Sequence, residues 1–225
     1  MNMPILFTAF AAIWILIVTW VVHKRFSVKA GFWFFIIASA WSLYFSIIGM
    51  SGILIRFPTK PILLSVLIPI LLFSFLFARS RIAKDLAEKI SMTLLIGLQS
   101  FRIVVEIFLH QFYLKQLIPI DMTFLGRNFD ILTGFSALLM ALLVSRFQIS
   151  KKWILAWNIV GLVLLLNVVI TGILSAPGPL QRLNFATPNL AITQFPYTLL
   201  PGLFVTSAIF LHILTFKKLR LDIAK

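Results

Sequence analysis

The chain has 225 residues, 61% of them hydrophobic and 12% charged, with 20 Lys and Arg against 6 Asp and Glu for a net charge of +14. Soluble domains carry about a quarter charged residues, so this composition excludes a soluble globular protein and indicates a polytopic membrane protein. The basic residues cluster between apolar runs, which makes them topology signals rather than a nucleic-acid surface, and the absence of cysteine excludes disulfide and thiolate chemistry.

A bilayer core of about 30 Å needs about 20 apolar residues per helix. Seven runs qualify: roughly 4–22, 31–54, 61–78, 91–114, 129–147, 153–174 and 197–216. The first, opening MNMPILFTAF, has no basic n-region and no small-residue cleavage site before HKR, so it reads as a retained span rather than a signal peptide. The second carries Ser39, Ser42 and Ser46 on one face as a close-packing seam and is open to continuation through SGILI to Arg56. The third is short and holds Pro61 and Pro69, which predicts a tilt or kink. The basic linker RSRIAKDLAEK that follows mixes both signs and reads as a solvated turn facing lipid headgroups.

The fourth run, QSFRIVVEIFLHQFY, places ionisable groups inside a span. Arg102, Glu106 and His110 advance by 40° per step and stay on one helix face, and Gln99 and Tyr113 extend the stripe. Charged groups at helix centres cost about 2.5 to 3.5 kcal/mol each on insertion scales, so this face is expected against a bundle interior or wet cavity. Two readings stay open: an intrahelical Arg102–Glu106 ion pair that joins span four to its neighbours, or a solvated pocket in which Arg102 holds a polar or anionic group while Glu106 and His110 exchange protons. Next, KQLIPIDMTFLGRNFDILTG offers Asp121 with Thr123 and Asn128 with Asp130 as capping chemistry. Arg127, Asn128 and Asp130 are also candidates to complete the pocket, with Asp130 near Arg127, His110 or Glu106.

In span six, Asn158 and Asn167 lie on nearly opposite faces. Asn167 is the pocket candidate, and Asn158 is expected to bond a neighbouring helix. The long loop SAPGPLQRLNFATPNLAITQFP reads either as a lid or as a plain connector, and Pro196, Pro201 and Gly202 are expected to bend or break span seven. His23 and His212 are expected to be interfacial residues at cytoplasmic ends.

Loop charge sets the orientation. Lys24, Arg25, Lys29, Arg79, Arg81, Lys84, Lys89, Arg146, Lys151, Lys152, Lys217, Lys218, Arg220 and Lys225 follow the odd-numbered spans, against Arg56, Lys60, Lys115, Arg127 and Arg182 on the other side. Fourteen against five predicts the N-terminus outside and the C-terminus inside. The fold class is therefore all-α, a single seven-helix transmembrane domain over residues 1–225. Within it, RFSVKAGFWFFII with SGIL and RFQISKKWILAWNIV with TGIL suggest parallel repeats over 1–79 and 128–217 around a linker helix at 90–115; chance matches between Leu- and Phe-rich segments explain the same identities.

This 3+1+3 plan resembles the SWEET sugar transporters in topology, although the Pro-Gln dipeptide of the wider PQ-loop group is absent, so no functional residue carries over. Rhodopsins and heptahelical receptors share the orientation, but span seven has no lysine for a retinal Schiff base. FRIVVEIFL, MTFLGRNFDILTG and SAPGPLQ resemble a group of uncharacterised bacterial seven-span proteins, which implies a bacterial inner membrane and no particular activity.

No HExxH, Gly-x-Ser-x-Gly or P-loop occurs, so no catalytic residue, metal or cofactor is assigned, although Glu106, His110 and Asp130 would make a mixed carboxylate and imidazole set. The expected function is binding of a small polar or anionic solute in an outward-facing intramembrane pocket, carrier-like and open to proton coupling. The alternatives are a membrane-embedded enzyme acting on a lipid-linked substrate and a non-transporting sensor or accessory subunit. The expected partners are the lipid bilayer and a small molecule.

Overall fold

The computed structural model describes residues 2–56 and 62–223. The predicted charge at Lys60, the predicted helix perturbation at Pro61 and the terminal Lys225 lie outside the described residues. The elements in chain order are α1 (Met3–Arg25), α2 (Val28–Ser51), α3 (Ile53–Arg56), α4 (Leu64–Arg79), α5 (Arg81–Lys89), α6 (Met92–Leu98), α7 (Phe101–Leu114), α8 (Asp130–Arg146), α9 (Lys151–Leu174) and α10 (Thr206–Ile223). A π-helical segment, Leu200–Val205, runs directly into α10. The fold is all-α among the described residues.

Among these, five units are long and apolar enough to cross a membrane: α1, α2, Met92–Leu114, α9 and Leu200–Asp222. The pair α4 and α5, bent by 67°, makes a sixth if it is one span. Helix α8, at the fifth predicted run, has 17 residues, about 26 Å of rise against a core of about 30 Å. Outward-facing Ile13, Leu16, Trp20, Phe32, Phe135, Leu139 and Val163 are exposed. A girdle of large apolar side chains on every side is what a lipid-facing surface requires and a water-facing one avoids.

Local chemistry accounts for the helix boundaries. Ser27, Ser80, Ser91 and Ser150 cap α2, α5, α6 and α9, each accepting a backbone N–H from the first turn. Gly52 adopts the left-handed conformation at φ 66°, which ends α2 at Ser51 and leaves Ile53–Arg56 as a separate short turn of helix. The predicted continuation of span two therefore stops at a glycine C-cap.

The sharp bend associated with the third span falls at Ser80, where extended backbone at ψ 153° separates α4 from α5. The predicted solvated linker is instead the amphipathic helix α5. Ala83 and Ala87 are fully buried while Ile82, Lys84 and Glu88 face outward. Small residues every fourth position let this helix lie closely against α10. Lys218 of α10 donates to the Ala87 carbonyl at 2.9 Å, satisfying an otherwise open C-terminal group of α5.

Helix α10 is central, packing against α4, α5, α6 and α9, while α1 pairs with α2 and α8 pairs with α6 and α7. One end of the bundle gathers basic segments: Lys89 lies over the Phe26 ring at 4.4 Å, and Lys151 donates to the Asp222 carbonyl. The opposite end is covered by the loops 115–129 and 175–199. These are tied together by Leu190 and Ala191 N–H groups donating to the Leu117 carbonyl, at 2.8 and 3.0 Å, and by Asn184 donating to Asp121. Span seven, expected to bend or break at Pro196, Pro201 and Gly202, is not broken: Leu200–Val205 widens to i→i+5 bonding, an irregular turn that continues as helix. The Gly202 carbonyl there accepts the Trp41 indole N–H at 2.7 Å.

Candidate functional site

Arg102, the second residue of α7, is the largest fully buried side chain among the described residues, 1% exposed. Its partner is Asp130, the first residue of α8. The guanidinium donates through Nε to Asp130 Oδ2 at 2.6 Å and through Nη2 to Oδ1, a bidentate fork. Nη2 also reaches the Gly161 carbonyl of α9 at 3.3 Å, and Nη1 meets His212 Nε2 of α10 at 3.1 Å. A guanidinium only donates. Nε2 of His212 is therefore an acceptor, and the ring proton sits on Nδ1, which faces Asn158 Oδ1 at 2.8 Å. Asn158 completes the link by donating to the His212 carbonyl at 3.2 Å. One arginine thus joins α7, α8, α9 and α10.

Two glycines make room for this crossing. A Cβ on Gly161 would lie 2.9 Å from Thr133 Cγ2 and 3.0 Å from His212 Cε1, and one on Gly134 would lie 2.7 Å from Ile103 Cγ1. Small residues at these points let helix backbones approach, as in other membrane bundles.

Glu106, one turn along α7, is 1% exposed and belongs to a second arrangement. Asn128 Nδ2 donates to Glu106 Oε1 at 2.7 Å and Oε2 at 2.8 Å, and lies 3.0 Å from the Met122 carbonyl. Asn128 Oδ1 accepts the Asp130 N–H at 2.9 Å, so the same amide shapes the entry to α8 and touches Glu106. The intrahelical Arg102–Glu106 pair does not form; each group turns to a different residue of the 128–130 segment. Among the described residues Glu106 has no cationic partner within ion-pair distance.

The remaining predicted residues divide. Gln99 is fully buried where α6 meets α7 and donates weakly to the Ala208 carbonyl at 3.5 Å, with its Oε1 unpartnered. His110 is half-buried against Phe124, ring centroids 5.0 Å apart, and makes no bond to Glu106; Tyr113 is half-buried beside it. Arg127 is exposed and pairs with Asp121 at 3.8 Å, and Asn167 donates to the Arg127 carbonyl at 2.7 Å. Arg127 and Asn167 thus join each other away from the buried cluster. Among the described residues no three His, Cys, Asp or Glu side chains converge as metal ligands, so the mixed set of Glu106, His110 and Asp130 is not assembled.

His212 and Asn158 were not among the predicted site residues. Asn158 bonds a neighbouring helix as expected, but His212 is buried at 1% exposure rather than interfacial. The available signal was its place inside an apolar run, which is the circumstance that singled out Arg102.

A cavity of about 190 Å³ meets this cluster. Arg102, Glu106 and Asp130 are its charged wall residues, and the rest of the lining is almost wholly apolar, from α4, α7, α9 and Leu200–Ile209. Met122 and Ile192 bring the two end loops to its wall, while the wall residues Leu71 and Leu166 are 64% and 46% exposed on the flanks of α4 and α9. Two wall residues thus reach the lipid-facing flanks of α4 and α9, and residues of the two loops line the cavity as well. The loop 175–196 is anchored where it does so, by buried Asn189 donating to the Gly172 carbonyl at 3.1 Å.

Long apolar helices, a lipid-suited exterior and a buried polar cluster that joins four helices define a multi-pass helical membrane protein. The chain belongs to the family described as Domain of unknown function (DUF8737), whose model matches residues 58–220. That span includes every residue of the buried cluster. No curated protein and no solved structure matches the chain.

Proposed function

We propose that this protein is a seven-span carrier-like membrane protein that binds a small amphiphile from within the bilayer, seating its polar group at the Arg102, Glu106 and Asp130 end of the side cavity. The cavity carries this reading: a nearly all-apolar wall suits an apolar body, while the charged end supplies orientation. It narrows the expected polar or anionic solute to one with a substantial apolar part. The π-helical turn at Leu200–Val205 contributes wall residues, and such turns recur at functional sites.

The seven-span count and the outside N-terminus belong to the same proposal, as does placement in a bacterial inner membrane. Support for the orientation comes from the basic segments, where Lys89 meets Phe26 and Lys151 meets Asp222, and from the five-residue minority of basic charges elsewhere. The parallel repeat is supported by Arg25-Phe26 and Arg146-Phe147, each of which closes a helix shortly before a Ser-capped one.

Amphiphiles with eight-carbon chains should raise the melting temperature of the purified wild type, and hydrophilic metabolites should not. Val169→Trp, which fills the cavity from α9, should abolish that rise while leaving the unliganded melt near wild type. Stabilisation of the Trp variant equal to wild type would place binding elsewhere. In proteoliposomes, the stabilising amphiphile should show counterflow that Val169→Trp removes; binding without counterflow would reject the carrier reading.

A further inference from the structure

Resting on the cavity reading above, we propose that the ligand's headgroup is a protonated amine received by Glu106, and not an anion received by Arg102.

Arg102 is the cation of the cluster, and its capacity is nearly spent: Nε and Nη2 hold both oxygens of Asp130, Nη2 also meets the Gly161 carbonyl, and Nη1 meets His212. An anion arriving here would have to displace a buried bidentate carboxylate or sit beside two carboxylates. Glu106 is in the opposite position. A carboxylate has about four acceptor sites, yet the contact made to it is one Asn128 amide group, shared with the Met122 carbonyl. With Arg102 matched by Asp130, an ionised Glu106 would leave the cluster one negative charge in excess. The other titratable groups nearby do not answer it: His212 accepts from Arg102 and faces Asn158, and His110 packs on Phe124. Glu106 lines the cavity. An ammonium there gains a carboxylate partner and N–H acceptors in a setting of low dielectric, where such a pair is stronger than in water.

The roles then separate. Arg102, Asp130, His212 and Asn158 form the joint that holds four helices, and Glu106 with Asn128 forms the receptor end of the cavity.

The test uses octylammonium, octanol and octanoate, one chain with three headgroups, binding to the protein in nanodiscs of zwitterionic lipid, with empty nanodiscs and Val169→Trp as backgrounds. Octylammonium should bind wild type about ten-fold or more tighter than octanoate. Glu106→Gln should lower octylammonium affinity by about ten-fold and leave octanol within about two-fold. The wild-type ranking alone decides the matter if Glu106→Gln does not fold. Octanoate binding as tightly as octylammonium, or an unchanged preference in Glu106→Gln, overturns the proposal while octanol binding keeps the cavity. Failure of all three to bind above the Val169→Trp background overturns the cavity reading and this proposal with it.

Discussion

Arg102 and Asp130 illustrate why a buried ion pair is hard to alter one residue at a time. Removing one partner leaves an uncompensated charge among apolar helices, whereas removing both leaves only a packing problem. Arg102→Ala should therefore lower stability by about 3 kcal/mol or more, and Arg102→Leu combined with Asp130→Leu should recover a large part of that loss. Thermal unfolding in detergent measures both; a double variant as unstable as the single would show that the two side chains do not act as a pair. The sequence identified Arg102 and Glu106 as polar groups in the wrong place for lipid, because intramembrane charge is costly wherever it occurs, and Asn128 and Asp130 as capping residues that were also pocket candidates. Their pairing was not readable. Whether Arg102 turns to Glu106 four residues on or to Asp130 twenty-eight residues on depends on the rotation of α7 against α8, which no local pattern encodes. His212 lies 110 residues from Arg102, and only the folded bundle brings it into contact.

At the level of elements, the helices owe their lengths to hydropathy and their closeness to small residues. Runs of about 20 apolar residues showed where α1, α2, α9 and Leu200–Asp222 lie, since lipid leaves little choice about burying backbone in helices. Less legible was α5, whose nine residues mix charge with Ala83 and Ala87; its helical period is clear only once α10 is seen against its small face. Pro201, expected to bend or break span seven, falls in the first turn of the π segment, where a missing N–H costs no intrahelical bond, and the helix runs on. Close approach has a measurable counterpart at Gly161. Gly161→Leu would drive a branched side chain into Thr133 and the His212 ring, and overpacking of this kind costs about 1 to 3 kcal/mol. The melting temperature should fall by more than in Val163→Ala, at an exposed position of the same helix. Equal melting of the two variants would mean that α9 and α10 can separate without loss.

The molecule as a whole offers a direct test of its orientation, because it contains no cysteine. Single cysteines at Lys29, Lys84 and Lys152 should react with a membrane-impermeant maleimide only after cells are permeabilised, whereas those at Lys115, Leu125 and Arg182 should react in intact spheroplasts. Labelling of both sets from the same side would reject loops that alternate across the membrane. The proposed entry from the bilayer, past Leu71 of α4 and Leu166 of α9, has a consequence of another kind. A ligand that enters from the flank is drawn from the pool dissolved in lipid, and the water phase acts only as a reservoir behind it. Half-saturation expressed per volume of buffer should then rise as more bilayer is added at fixed protein, while half-saturation expressed as ligand per lipid stays constant. Modest intrinsic affinity is enough under such conditions, since partitioning has already concentrated the molecule beside that entry.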